Sequence, residues 1–130
     1  MRVLIVEDDS ISRRLLQAII SPYGVCDVVV NGKEAIEAFE LAKEEKNNYN
    51  LVCLDIMMPE MDGQEVLRQI RKFEKEWDIN RQNGVKVIMV TALDDFDNIK
   101  SAFEEQCEAY FIKPVIREKL LDTLKQMHLI

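Results

Sequence analysis

Short apolar runs alternate along the chain with longer stretches in which apolar residues recur every three or four positions. The runs are Val3–Val6, Val25–Val30, Leu51–Leu54, Val85–Val90 and Tyr110–Ile112. They are rich in β-branched residues, and most lack the in–out alternation of a half-exposed strand. They therefore read as strands of a parallel sheet covered on both faces. Asn31-Gly32 ends the second run as a turn.

The intervening stretches have helical spacing. Ile11, Leu15, Leu16, Ala18 and Ile19 make one face of a first helix, which Pro22 and Gly24 close. Asn31, with Glu34 three residues on, caps a second helix carrying Ala35, Ile36, Phe39 and Ala42. That helix is expected to fray into the polar stretch 43–50. Asp62 and Glu65 repeat the capping pattern before Val66, Leu67, Ile70, Phe73 and Trp77. Phe96, Ile99 and Phe103 mark a fourth helix. For these three, core packing is the favoured reading, with exposed partner-contact residues as the alternative. Ile116, Leu120, Leu124 and Met127 mark a fifth. Five strand–helix units with right-handed crossovers predict one α/β domain over residues 1–130, a doubly wound five-stranded parallel sheet with helices on both sides.

Charge narrows the function. The chain has 24 acids against 17 Lys plus Arg, a formal net charge of -7. No basic cluster offers a surface that could track phosphates, so nucleic acid and anionic membrane are not expected partners. Cys26, Cys53 and Cys107 are widely spaced and odd in number, which argues against a disulfide framework or a zinc site. Cys26 and Cys53 read as small core residues. There is no signal-peptide pattern and no apolar stretch near ~18 residues, so a cytoplasmic, reducing location is expected.

In doubly wound sheets ligands bind beyond the carboxyl ends of the strands. Glu7, Asp8 and Asp9 follow the first predicted strand, Asp55 the third, Thr91 the fourth, and Lys113-Pro114 the fifth. Each has an ordinary reading alone: loop acid, helix cap, strand end or surface lysine. Asp55 is the exception, because a lone acid between an apolar run and Ile56-Met57-Met58-Pro59 has no helix to cap. All four clusters project from one sheet edge. Carboxylates crowded there repel one another unless a cation intervenes. An oxygen-only donor set with few ligands suits Mg²⁺. Lys113 can neutralise Asp55 and later hold an anion, and Thr91 offers a hydroxyl. Such a set is built for phosphoryl transfer onto a carboxylate. His128, the one histidine, lies far from these residues near the C-terminus and reads as an exposed tail residue.

The motifs "VLIVEDDS", "LDIMMPEMDG", "VIMVTA" and "AYFIKP" occur in this order. With them the chain resembles, over essentially its whole length, the receiver domains of two-component response regulators, above all the single-domain chemotaxis type. The resemblance implies a flavodoxin-like (βα)5 fold with strand order 2-1-3-4-5. It implies that Asp55 is the phosphoacceptor and that Glu7 and Asp8 are the metal-binding acids. Asp9 matches a variable position. It also implies that the backbone carbonyl of Met57 completes the Mg²⁺ shell. Thr91 and Tyr110 match the switch pair, and Ala92 the small residue beside the phosphoryl group. Lys113 matches the phosphate-binding lysine, joined to Pro114 by a cis bond. The implied donor is a sensor histidine kinase or histidine phosphotransfer protein. The implied output is a downstream protein bound through the fourth helix, fifth strand and fifth helix. Where related regulators carry polar residues that position the hydrolytic water, this chain has Met57 and Leu93, which implies slow self-dephosphorylation. No output segment follows the fifth helix before Ile130, so signalling is expected through protein contact, unless the module is excised from a longer protein.

Three rival readings fit less well. A phosphohydrolase with an aspartate nucleophile needs an acid at the position of Met57. A flavin-binding redox protein would set its phosphate against Glu7-Asp8-Asp9. A receiver-like module that is never phosphorylated would not need the full acid, hydroxyl and lysine set.

Overall fold

The computed structural model describes Met1–Ile130. Five parallel strands, β1 (Arg2–Val6), β2 (Val25–Val29), β3 (Leu51–Leu54), β4 (Lys86–Thr91) and β5 (Ala109–Ile112), alternate with helices α1 (Ser10–Ile20), α2 (Gly32–Glu44), α3 (Gly63–Glu76), α4 (Phe96–Glu104) and α5 (Arg117–Gln126). The strand order is β2-β1-β3-β4-β5, so β2 and β5 are the edges. Along β1, β3 and β4 successive side chains enter opposite layers. Leu4, Val6, Val52, Leu54, Val87 and Met89 pack under α2, α3 and α4, against Phe39, Leu67, Ile70 and Ala102. Val3, Ile5, Leu51, Cys53, Ile88 and Val90 pack under α1 and α5, against Leu16, Ile20, Leu120 and Leu124. The central strands have no wet face, which is why their sequences show no polar alternation.

The caps form as the sequence predicts. The Asn31 and Asp62 side chains accept from the Glu34 and Glu65 amides, at 2.8 and 3.0 Å. Asp9 caps α1 by accepting from Ser12 N (2.9 Å), and Asp95 caps α4 by accepting from Asn98 N (3.1 Å).

Several expected core positions lie elsewhere. In α1 the buried residues are Leu16, Ile19 and Ile20, whereas Ile11, Leu15 and Ala18 are exposed. The face that meets the sheet is rotated from the 11–15–19 ladder, because Ile11 and Leu15 border the loop after β5 instead. In α4 only Ala102 is buried, while Phe96 and Phe103 are 73% and 48% exposed, so core packing is the wrong reading for them. This helix lies over the β5 edge, where the sheet gives little to bury against. Ile116 is exposed at the α5 N-cap position, and Cys26 is only half-buried on edge strand β2. β2 stops at Val29, one residue early, and β4 is shifted by one to end at Thr91.

The amino edge of the sheet is closed by buried ions. Arg71 of α3 bridges Glu74 (2.7 Å) and Glu108 (3.1 Å), and it donates to the carbonyls of Val85 and Gln106. Arg81 pairs with Glu108 as well. The amides of Val85 and Val87 donate to Glu74 and Glu108, each at 2.6 Å. The lattice fixes the loop between α3 and β4 and the entry of β4 and β5. Removing one member of a buried pair strands the other charge. Arg71→Ala is therefore expected to lower stability by about 3–5 kcal/mol in urea unfolding, and a loss below ~1 kcal/mol would show that the network carries no stability.

Candidate functional site

Parallel register brings the polar residues together. Val6 of β1 pairs with Leu54 of β3 and with Val29 of β2. One step beyond, Glu7 N donates to Val29 O and Asp55 N to Val6 O, both at 3.1 Å. Across the sheet Lys113 N donates to Thr91 O at 2.8 Å. Each residue thus extends its strand by one rung, and all point into the space above the carboxyl edge.

Asp55 is 5% exposed, and Glu7 is 1% exposed. The Lys113 ammonium lies 3.1 Å from Asp55 Oδ2 and also contacts Glu7 Oε1. Apart from that ion pair, Glu7 Oε1 has no hydrogen-bond partner. The Met57 amide donates to Asp55 Oδ1 at 3.3 Å. Asp8 is exposed at the rim. Oxygens of Glu7, Asp8 and Asp55 come within 4.8 Å of one another. Arg13 donates to the Glu7 carbonyl (3.0 Å) and holds the loop after β1. Asp9, occupied as the α1 cap, stands apart from this cluster.

Thus two buried carboxylates share one ammonium, with the Asp8 carboxylate beside them at the rim. Burial, then the Asp55 carboxylate, pushes the Glu7 carboxyl up to about 7. Burial works against the charge on Lys113, but contact with Glu7 and Asp55 outweighs it and raises the lysine above its ordinary value. The donor set is all oxygen and under-neutralised, and the buried Glu7 Oε1 meets only the ammonium it shares with Asp55. These residues fit a small hard divalent cation, and Mg²⁺ in particular where few protein ligands leave positions for water or phosphate oxygens.

The remaining predicted residues lie in or just after β3, β4 and β5. Thr91 is fully buried, and its hydroxyl accepts from the Leu93 amide at 3.4 Å. Ala92 is exposed beside it. The half-buried Tyr110 donates its hydroxyl to the Leu93 carbonyl at 2.8 Å. Burial and then the nearby Asp95 carboxylate push that hydroxyl up to about 12, so it stays a donor. The Lys113–Pro114 bond is cis. Met57 is 58% exposed and lines an apolar groove with Leu93, Met58 and Pro59.

One residue that positions Asp55 escaped sequence reasoning. A Cβ on Gly63 would lie 2.0 Å from the Asp55 carbonyl oxygen. Gly63 N also donates to Ile56 O at 2.9 Å. The missing side chain lets α3 start directly against the Asp55 backbone. A glycine in the first turn just after the Asp62 cap was the available signal, since helices disfavour glycine by about 1 kcal/mol.

A family model described as the response regulator receiver domain matches residues 3–125. The regulatory protein VanRB of Enterococcus faecalis is 34% identical over 98% of this chain and 52% of its own. The chemotaxis protein CheY of Treponema pallidum is 32% identical over 95% of this chain and 79% of its own. The chain spans about half the length of VanRB, and 44% of a probable transcriptional regulator, ycf27, of Porphyridium aerugineum. A chain of the CheX–CheY–BeF3–Mg²⁺ complex from Borrelia burgdorferi superimposes with a TM-score of 0.83 at 28% identity, covering 98% of this chain and 89% of that one. The receiver domain of the histidine kinase CKI1 from Arabidopsis thaliana, complexed with Mg²⁺ and BeF3⁻, gives 0.81 at 25% identity, with coverage of 98% and 89%.

The crowding has a measurable sign. The folded Glu7 carboxyl titrates near 7, against an ordinary 4.5. Its contribution to stability is complete below about pH 4.5 and is lost as pH rises through about 7. Glu7→Gln keeps a neutral side chain throughout. In chelator, the variant is expected to gain on the parent between pH 5 and pH 8, by about 1 kcal/mol or more. Calorimetric unfolding at the two pH values checks this, and parallel pH profiles would contradict it.

Proposed function

The chain belongs to the response regulator receiver domain family, and on that premise we propose that residues 1–130 form a single receiver unit with Asp55 as its phosphoacceptor. The observation that carries this reading is convergence. Glu7 and Asp8 from the end of β1 and Lys113 from the end of β5 meet one acid at the end of β3.

The donor is a phosphohistidine on a sensor histidine kinase or a histidine phosphotransfer protein. An Asp55 carboxylate oxygen attacks phosphorus in line as the P–N bond breaks. The imidazole nitrogen keeps the bonding pair and takes up a proton. Lys113, already 3.1 Å from Asp55 Oδ2, binds a phosphoryl oxygen as negative charge arrives. Mg²⁺, held by Glu7, Asp8, Asp55 and the Met57 carbonyl, would supply the positive charge that stabilises the loose transition state. The product adds ≈ −1.5 to −2 charges to the sheet edge. The Thr91 hydroxyl then turns from the Leu93 amide to the phosphoryl group, and the small Ala92 leaves room for it. Tyr110, bonded to the Leu93 carbonyl, reports that movement to α4 and β5. The chain acts only on its own acceptor. Met57, lacking an acid, offers no general acid for a phosphatase cycle.

Two surfaces suit two partners. A cleft of about 320 Å³ is lined by Ile11, Leu15, Pro114 and Val115, with Lys113 among its walls. It borders the acceptor, where a donor's phosphohistidine helix must approach. The face of α4, β5 and α5 exposes Phe96, Phe103, Ile112 and Ile116, which suits a downstream protein. The net charge of -7 supports a protein rather than nucleic acid or an anionic membrane. The family points to a cytoplasmic site of action; none of the helices is long and apolar enough to cross a membrane.

Incubation with Mg²⁺ and a small acyl phosphate is expected to add ~80 Da, a base-labile adduct absent from Asp55→Asn. An adduct that persists in the variant would move the acceptor elsewhere. Met57 and Leu93 make the mouth of the site apolar, so the Met57→Asn, Leu93→Glu double variant is expected to lose phosphate several-fold faster in a ³²P chase. An unchanged rate would remove the slow-hydrolysis reading.

A further inference from the structure

Gln64 is the second residue of α3, immediately after the glycine that packs on the Asp55 carbonyl. It is 6% exposed, in the layer that also holds Val66, Leu67 and Ala102. Its Nε2 donates across to the Asn98 carbonyl in the first turn of α4, at 3.0 Å. Its Oε1 is buried with no hydrogen-bond partner. An apolar side chain would avoid that orphan oxygen, so the amide is costly for packing alone.

The cost coincides with a weakly held helix. α4 buries only Ala102 and exposes Phe96 and Phe103. Its carboxyl end is fixed from the amino edge of the sheet, where Arg71 and Arg81 both donate to the Gln106 carbonyl. At its amino end, Asp95 and Asn98 bond each other within the cap itself. The side-chain hydrogen bond that reaches this end from α3 is the one from Gln64, and it is partly buried. A continuous line therefore runs from the Asp55 backbone through Gly63 and Gln64 to the first turn of α4. It does not pass through Thr91 or Tyr110.

We propose that Gln64 is a positioning residue that ties the acceptor end of α4 to the start of α3, so that α4 moves with the Asp55 loop when the acceptor is loaded. The inference rests on the receiver reading for its consequence and on the Gln64–Asn98 hydrogen bond for its mechanism. With the carboxyl end held by Arg71, release of Gln64 leaves α4 free to pivot at its amino end.

The test compares the full chain with Gln64→Met and Gln64→Leu, which keep bulk and remove the amide. Amide hydrogen exchange is expected to quicken about five- to tenfold across residues 96–104, the size expected for loss of one buried hydrogen bond, while α2 and α5 keep their rates. Beryllofluoride with Mg²⁺ should bind both variants within about threefold of the parent, since no group touching Asp55 is changed. The amide shifts it induces along α4 should shrink by about half or more, because the helix is no longer carried by the acceptor loop. Unchanged exchange and shifts along α4 in both variants would overturn the proposal. So would faster exchange spread evenly over the sheet, which would mark Gln64 as core filler. Failure of the parent to bind beryllofluoride would count against the receiver reading instead, and the exchange comparison would still decide whether the strut exists.

Discussion

Two buried carboxylates, Glu7 and Asp55, share a single ammonium, Lys113, with a third carboxylate, Asp8, at the rim. Everything at the functional edge follows from that shortage of positive charge. Burial and the neighbouring Asp55 carboxylate drive Glu7 toward its neutral form. The site is therefore poised for whatever brings more cation. A divalent metal relieves the repulsion, and a metal-bound acceptor then tolerates the further anion of a phosphoryl group. A site neutralised in advance would be more stable and would have no reason to bind either.

The two edges of the sheet show the contrast within one molecule. At the amino edge Arg71 and Arg81 face Glu74 and Glu108, two cations for two anions, with the Val85 and Val87 amides donating as well. Nothing is left over, and the edge is a fixed base. At the carboxyl edge the charges do not balance, with Lys113 alone set between Glu7 and Asp55. α4 joins the two regimes. Its carboxyl end is tied to the balanced edge through Arg71, and its amino end reaches the unbalanced edge through Gln64. A helix anchored so unequally, with two exposed phenylalanines, suits a part that moves and is recognised.

Much of this was legible before any coordinates. Unalternated β-branched runs marked the buried central strands, because only a parallel sheet covered on both faces tolerates them. Asp55 stood out because a lone acid in apolar company demands a partner, and Lys113 supplies it. Periodicity failed where packing is one-sided. Ile11, Phe96 and Phe103 have helical spacing but no sheet behind them, since spacing says which residues share a face and not what that face meets. Gln64 was invisible as a positioning residue, and Gly63 showed only as a glycine out of place in a first helical turn. Their roles depend on contacts with the Asp55 and Asn98 carbonyls, and backbone atoms leave no trace in a side-chain pattern.

The central claim is that this shared, under-neutralised carboxylate at residue 55 is the one that takes the phosphoryl group. Borohydride reduction after incubation with Mg²⁺ and an acyl phosphate tests it most directly, because it converts an aspartyl phosphate to homoserine in place. Peptide sequencing is expected to find homoserine at position 55 and at no other acid. Homoserine at position 8 or 9, 5-hydroxynorvaline at position 7, or no reduced acid at all from a folded protein, would contradict the account.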